Sequence, residues 1–310
     1  MAHPILVIGA AGGAQGSTGR QVTSLLLEQG IPVRALVHKL DTRSDEIRQQ
    51  GAEVVEGDLL NSRSVQAAMR NVRRACFTYP VKMVFLRPLR SFAAAARDAA
   101  LESVVNNSQY QSTPGDPAFR ELDRFASFRN LQHRLADRVF DWAQVGAVHV
   151  QAPPYYDNVR GLVTASVSKQ NTVFLPWGED TTVIPLVGSG DVSRVAATLL
   201  ANPGVPYQNV YSLVGEAPMV REITEALRRA IGLPIQYVPI TDEQWADAVK
   251  ERLGPHGLDH LSHLWQTFRK GEERYRTTDA IRMVTARNPQ TLEQFFRENA
   301  RFFSGTTQEA

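Results

Sequence analysis

The feature that most constrains this chain is its opening: the apolar run Ile5-Leu6-Val7-Ile8 feeds into five glycines between positions 9 and 19 (Gly9, Gly12, Gly13, Gly16, Gly19), and a helix-patterned stretch follows from Val22. An apolar run, a glycine corner and a helix start make one strand–loop–helix unit. Glycines let the backbone approach a ligand closely at such a corner, and the N–H groups that open the helix point at whatever sits there. A dinucleotide pyrophosphate is the natural occupant; the alternative is a glycine-rich turn with no ligand. Two registers fit. Gly9, Gly12 and Gly16 read G-x-x-G-x-x-x-G, whereas Gly13, Gly16 and Gly19 read G-x-x-G-x-x-G, so the loop is longer than the minimal fingerprint. The candidate cofactor contacts here are Gly9, Gly12, Gly13, Gln15, Gly16, Ser17, Thr18 and Gly19.

The same rhythm continues. Short β-branched runs at about 4–9, 32–37, 53–56, 74–78, 103–107 and 147–151 alternate with helical patterns at 17–30, 43–50, 62–71, 87–101 and 119–145. Strands and helices in alternation predict βαβ units and a doubly wound parallel sheet, an α/β Rossmann fold, over residues 1–152. Pro153-Pro154 interrupt it. Residues 153–310 mix short strands and helices, and are expected to form a smaller α/β region on the substrate side that partly completes the sheet.

With 34 basic against 32 acidic residues the net charge is +2, which argues against a nucleic acid or an anionic membrane as partner. No apolar run reaches the eighteen or so residues of a membrane span. The single cysteine, Cys76, lies in an apolar run and has no internal partner. It suits a reducing compartment as a buried inert thiol, so a cytoplasmic protein without a targeting segment is expected.

In an NAD site, a carboxylate near the end of the second strand bonds the adenosine ribose. Here that place reads Val37-His38-Lys39, with Arg43 soon after and no acid before Asp41. A basic strand end neutralises a 2′-phosphate, so NADP(H) is expected over NAD(H); otherwise this is a solvated basic loop. After the third strand, Asp58 either takes the adenine amino group with Leu59 on the ring, or caps the next helix. Tyr79 and Pro80 end the fourth strand in the crevice where such sheets bind ligands, and Tyr79 either lines the nicotinamide pocket or covers the sheet edge.

Together, Val7-Ile-Gly-Ala-Ala-Gly12, Gly16-Ser-Thr-Gly-Arg20, Val33-Arg-Ala-Leu-Val37, Gly51-Ala-Glu-Val-Val-Glu-Gly-Asp-Leu59, Thr277-Thr-Asp-Ala280 and Asn288-Pro-Gln-Thr-Leu292 resemble the NmrA-like branch of the atypical short-chain dehydrogenase/reductases. The resemblance runs almost the whole length. It implies a pyrophosphate on Gly12 to Gly19, the NADP phosphate near His38 and Lys39, and adenine near Asp58. It also implies either an NADPH-dependent reductase of quinones and dyes, or a protein that senses NADP(H) without turnover.

The chain departs from ordinary short-chain dehydrogenases in having no Tyr-x-x-x-Lys; Tyr156-x-x-x-Arg160 is the nearest pattern and falls after the sixth strand. On the helix before that strand, where some NmrA-like proteins carry a lysine, this chain has His133. A histidine of near-neutral pKa donates a proton or bonds a substrate oxygen, though Gln132-His133-Arg134 also reads as a wet helix face. Ser108, ending the fifth strand, binds substrate or caps a turn. The candidate catalytic groups are therefore His133, Ser108 and Tyr79. An acceptor that mainly needs hydride, a small conjugated quinone, enone or dye, fits the missing tyrosine; a sugar-nucleotide epimerase would want it. Aromatics of the second half (Tyr155, Tyr156, Phe174, Trp177, Trp245, Trp265, Phe268) suggest a ring-shaped ligand, or simply core.

Overall fold

A computed structural model of the chain describes residues 3–12, 17–79, 85–110, 127–204, 208–271 and 275–303. Six parallel strands appear within two residues of where the pattern put them: β1 (Ile5–Ile8), β2 (Val33–Val37), β3 (Glu53–Glu56), β4 (Arg74–Phe77), β5 (Ser103–Gln109) and β6 (Ala147–Ala152). The fifth runs past its expected end because Ser108 and Gln109 keep pairing with Gln151 and Ala152. A seventh strand, β8 (Val210–Ser212), adds beside β6, so the later half of the chain contributes an edge strand to the sheet. The order is β3-β2-β1-β4-β5-β6-β8. Its direction reverses between β1 and β4, and ligands of open α/β sheets bind in the crevice at that point, outside the carboxyl ends of the strands.

Strand residues alternate between two faces, and both are buried, as a parallel sheet requires. Ile5 and Val7 of β1 join a core with Val22 and Leu26 of α1 (Thr18–Glu28), Val192 and Val195 of α7 (Ser189–Ala201), and Ile281 and Val284 of α10 (Ala280–Thr285). Leu6 and Ile8 face the opposite core, with Val65 of α3 (Ser62–Ala68), Leu89 and Phe92 of α4 (Leu86–Asp98), and Ala136 and Phe140 of α5 (Phe128–Ala143). The first of these cores thus draws on both halves of the sequence. Helix α2 (Thr42–Gln49) contributes Ile47 to it.

A third core lies beside the sheet. It gathers Val159 and Val163 of α6 (Tyr156–Gln170), Val173 of β7 (Thr172–Leu175), Ile223 of α8 (Val220–Ile231), Trp245 and Trp265 of α9 (Asp242–Lys270), and Phe296 of α11 (Leu292–Glu298). Strand β7 pairs in parallel with β9 (Gln236–Pro239) as a separate two-stranded sheet. Five of the seven aromatics singled out above are core: Trp265 takes Trp177 and Trp245 edge-on at 5.8 and 5.9 Å, and Tyr156 and Phe268 are buried with them. Helix α9 is two helices joined at Gly254, whose φ of 64° and ψ of 173° only glycine adopts readily, and Pro255 starts the second half. No described helix is long and apolar enough to cross a membrane.

Candidate cofactor and acceptor site

The glycine corner separates into two positions packed against backbone and one that meets only side chains. Gly9 has φ +79°, and a Cβ there would stand 2.3 Å from the carbonyl oxygen of Thr78, after β4. Gly19, in the first turn of α1, would place a Cβ 2.5 Å from the Gly9 carbonyl oxygen. These two therefore let β1, β4 and α1 meet backbone to backbone. Gly12 closes the turn through its N–H to the Gly9 carbonyl at 3.0 Å. Its φ is +78°, and a Cβ would meet only side-chain atoms, Arg20 Nε and Ser17 Oγ, both at 3.3 Å. One glycine for the turn, one for close approach of the backbone and one for helix packing are the three roles of a dinucleotide fingerprint. Ser17 stands at the N-cap of α1 in the left-handed region, its side chain does not cap the helix amides, and no acid occupies the first turn, which leaves the helix end favourable to an anion. Gly13, Gln15 and Gly16 lie outside the described residues.

At the end of β2, His38 and Lys39 are exposed and have no ion-pair partner among the described residues. Arg43 is tied down: Nε and Nη2 donate to Asp41 Oδ2 at 3.0 and 2.6 Å, and the hydrogen bond lowers the Asp41 pKa. Asp41 also caps α2 in a reciprocal capping box with Ser44. Arg20 bridges α1 to α2 through Glu46 at 2.6 Å. Asn61, not Asp58, caps α3. Asp58 accepts the Leu60 amide at 2.8 Å, which leaves a carboxylate oxygen for a ligand. Leu59 is buried in the core of the α3–α5 face, whereas Leu60 is exposed. Burial raises the Tyr79 pKa, and the neighbouring Asp58 charge adds to this, so these two candidates share one locality. Pro80 lies outside the described residues.

A crossover helix runs back against its strands, so the first turns of α5 sit at the carboxyl edge of the sheet. There the His133 ring lies 6.0 Å from Phe85, which is 6.1 Å from Tyr79. The expectation of a near-neutral histidine does not hold. Burial lowers the His133 pKa to about 3, with the Arg129 cation adding to the effect, so the ring is neutral at pH 7 and has no imidazolium proton to give. The second half of α9 packs on the head of α5: His260 Nδ1 lies 3.0 Å from Ser127 Oγ, and His256 stacks on Phe128 at 6.2 Å.

Ser108 is buried near Asp137, whose pKa burial raises while the Ser108 hydroxyl acts to lower it. Asp137 is the hub of a network that sequence reasoning missed. Asn106 and Gln151 donate to it at 2.8 and 3.0 Å, and His149 reaches it at 3.4 Å and Asp141 at 3.1 Å. The signal was present: Asn106 and Ser108 of β5 stand beside His149 and Gln151 of β6, polar residues on the face that points at α5. On the other face, Asn107 Nδ2 donates to the Tyr155 hydroxyl at 3.2 Å, and Thr18 bonds the same buried phenol. Tyr155 thus joins the head of α1 to β5. Tyr156 is structural, with its hydroxyl on Glu216 at 2.9 Å and the Gln290 carbonyl at 3.0 Å, while Arg160 bonds Asn299. Cys76 is buried, its thiol pKa pushed up to about 12.

The model of the NmrA-like family matches residues 1–296. Among curated proteins, an NAD(P)H azoreductase from Xenophilus azovorans is 24% identical over 300 residues, covering 96% of this chain and 99% of its own. Among solved structures, a Citrobacter triphenylmethane reductase complexed with NADP(H) superimposes with TM-score 0.76 at 18% identity, covering 96% and 99% of the two chains. An NADPH-dependent quinone oxidoreductase from Escherichia coli, complexed with NADPH, gives 0.77 at 17% identity over 96% and 98%. At these identities the solved structures establish the shared fold.

Proposed function

The chain belongs to the NmrA-like family, and from that premise we propose that it is an NADPH-dependent oxidoreductase that passes hydride to a small conjugated acceptor: a quinone, an enone or a dye. The observation that carries this reading is the corner of Gly9, Gly12 and Gly19 between β1 and α1, at the point where the strand order reverses, with Gly12 turned at φ +78° and Gly9 and Gly19 packed against backbone. The azoreductase, triphenylmethane reductase and quinone oxidoreductase relatives support the same class.

NADPH, when bound, supplies the hydride. Gly12 and the head of α1 hold the pyrophosphate, His38 and Lys39 neutralise the 2′-phosphate, and the free oxygen of Asp58 takes the adenine amino group. Tyr79 walls the crevice beside Asp58. His133, neutral, orients an acceptor oxygen through its ring N–H and leaves the final proton to solvent. Quinones and dyes suit such a site, because the charge they gain is delocalised and positioning supplies much of the rate. The test is NADPH oxidation against a panel of quinones, dyes and enones. Turnover of at least one acceptor with NADPH preferred over NADH is expected; tight NADPH binding without turnover of any would make the protein a sensor of NADP(H).

A further inference from the structure

Gln132 is 2% exposed, yet neither its amide nitrogen nor its amide oxygen has a partner among the described residues. Leaving both ends of a buried amide unpaired is costly, and such a group is kept where water, an ion or a ligand can satisfy it. Its place says which ligand. Gln132 lies one turn before Ala136 on the α5 row that continues into Phe140, which packs edge-on against Phe77 at 5.3 Å. That row therefore leads from the aromatic core up to the carboxyl edge of the sheet, where Tyr79, Phe85 and His133 stand in line.

The locality carries a cation. Arg129, one turn earlier on α5, is half-buried, and its cation acts on both His133 and His260. The acid that faces Arg129 is Asp259 on the far side, itself 3.2 Å from His263. Both imidazoles are neutral, so the Gln132 end of this row offers the Arg129 cation, neutral donors and aromatic side chains, while the Asp58 carboxylate acts on its Tyr79 end.

Building on the reductase reading, we propose that Gln132 and Arg129 select the acceptor: a planar aromatic molecule whose anionic or carbonyl oxygen is held by the Gln132 amide and the Arg129 guanidinium, with cationic dyes excluded. A cation placed there would face Arg129 in a poorly screened site, and the Gln132 nitrogen would stay unpaired.

Calorimetry on the NADP⁺-loaded protein tests this without turnover, using 2-naphthalenesulfonate and (2-naphthyl)trimethylammonium as probes of the same ring and opposite charge. The sulfonate is expected to bind at least about tenfold more tightly. Arg129→Gln should abolish that preference while Arg129→Lys keeps it. Gln132→Leu should weaken the sulfonate and raise the melting temperature of the ligand-free protein, because an unpaired buried amide is removed. Equal affinities, a preference for the cation, or binding of neither probe by the wild type would overturn the proposal, as would a Gln132→Leu protein that melts lower and binds the sulfonate normally. Anion preference without NADPH oxidation by any acceptor would sustain this inference and sink the reductase reading; turnover without the preference would do the reverse.

Discussion

Substituting Gly19 by alanine isolates the contact that seats α1 on the nucleotide corner. The new Cβ would stand 2.5 Å from the Gly9 carbonyl oxygen and 2.7 Å from its carbon, against about 3.3 Å for a tolerable carbon–oxygen approach. Both obstructing atoms are backbone, so relief requires α1 to lift from β1. Overpacking of this kind costs about 3 kcal/mol, while alanine for glycine in a helix returns about 1 kcal/mol, for a net loss of about 2 kcal/mol or roughly 4 °C in melting temperature. Gly30→Ala is the control. Gly30 has φ +71° and open space around its Cβ, so it incurs only the left-handed strain, about 1 kcal/mol. Differential scanning fluorimetry of the nucleotide-free proteins and calorimetric NADPH titrations read both effects. Gly19→Ala should weaken NADPH about tenfold or more, since the corner it distorts is the cradle, and Gly30→Ala should leave affinity within about twofold. A Gly19→Ala protein that melts within a degree of wild type, or binds NADPH no worse than Gly30→Ala, would refute this account of the corner.

Lys39→Ala should weaken NADPH by about tenfold or more with little effect on NADH, because a charge-assisted phosphate contact contributes about 1.5–3 kcal/mol; an unchanged preference in paired titrations would remove Lys39 from the phosphate site. His133 should make the fold acid-sensitive: between its unfolded pKa near 6.5 and its folded value of about 3 the unfolded chain binds the extra proton, so stability is full above pH 6.5 and falls as pH drops toward 3. His260 acts in the same direction, so in His133→Gln the urea midpoints at pH 7.5 and 5 should draw closer without meeting; an unaltered pH slope counts against the desolvation of that ring. Tyr156→Phe should cost about 2 kcal/mol, the bond to the Glu216 carboxylate, without changing kcat; a large fall in kcat would place the Tyr156-x-x-x-Arg160 pair in the chemistry after all.

The six strands and the glycine corner were legible because their signals are local: β-branched runs, helix stops, and glycines at fixed offsets. The environment of His133 was not. Its sequence neighbours Gln132 and Arg134 are polar and suggest a wet face, but the ring meets Phe85, nearly fifty positions away, and α9, more than a hundred positions away, packs on the head of the same helix. The Asp137 network also depends on register, since Asn106 meets His149 and Ser108 meets Gln151 only once β5 and β6 pair. Arg43 was legible as a cation near the phosphate and illegible as the partner of Asp41, which a two-residue separation could have suggested.

The sharing of one core between the two halves of the sequence has a consequence for how the chain comes into being. Ribosomes deliver the N-terminal half first, yet Ile5, Val7 and Val22 need Val192, Val195 and Ile281 to cover them. A nascent chain halted after β6 would hold a sheet with one face covered only in part, by α1 and α2, and β6 as an open edge, and exposed strands of that kind pair with neighbours or aggregate. The N-terminal half is therefore expected to complete its packing only with the rest of the chain. Its final folding waits on emergence of β8, α7 and α10, so cofactor capture is a late event in the life of each molecule.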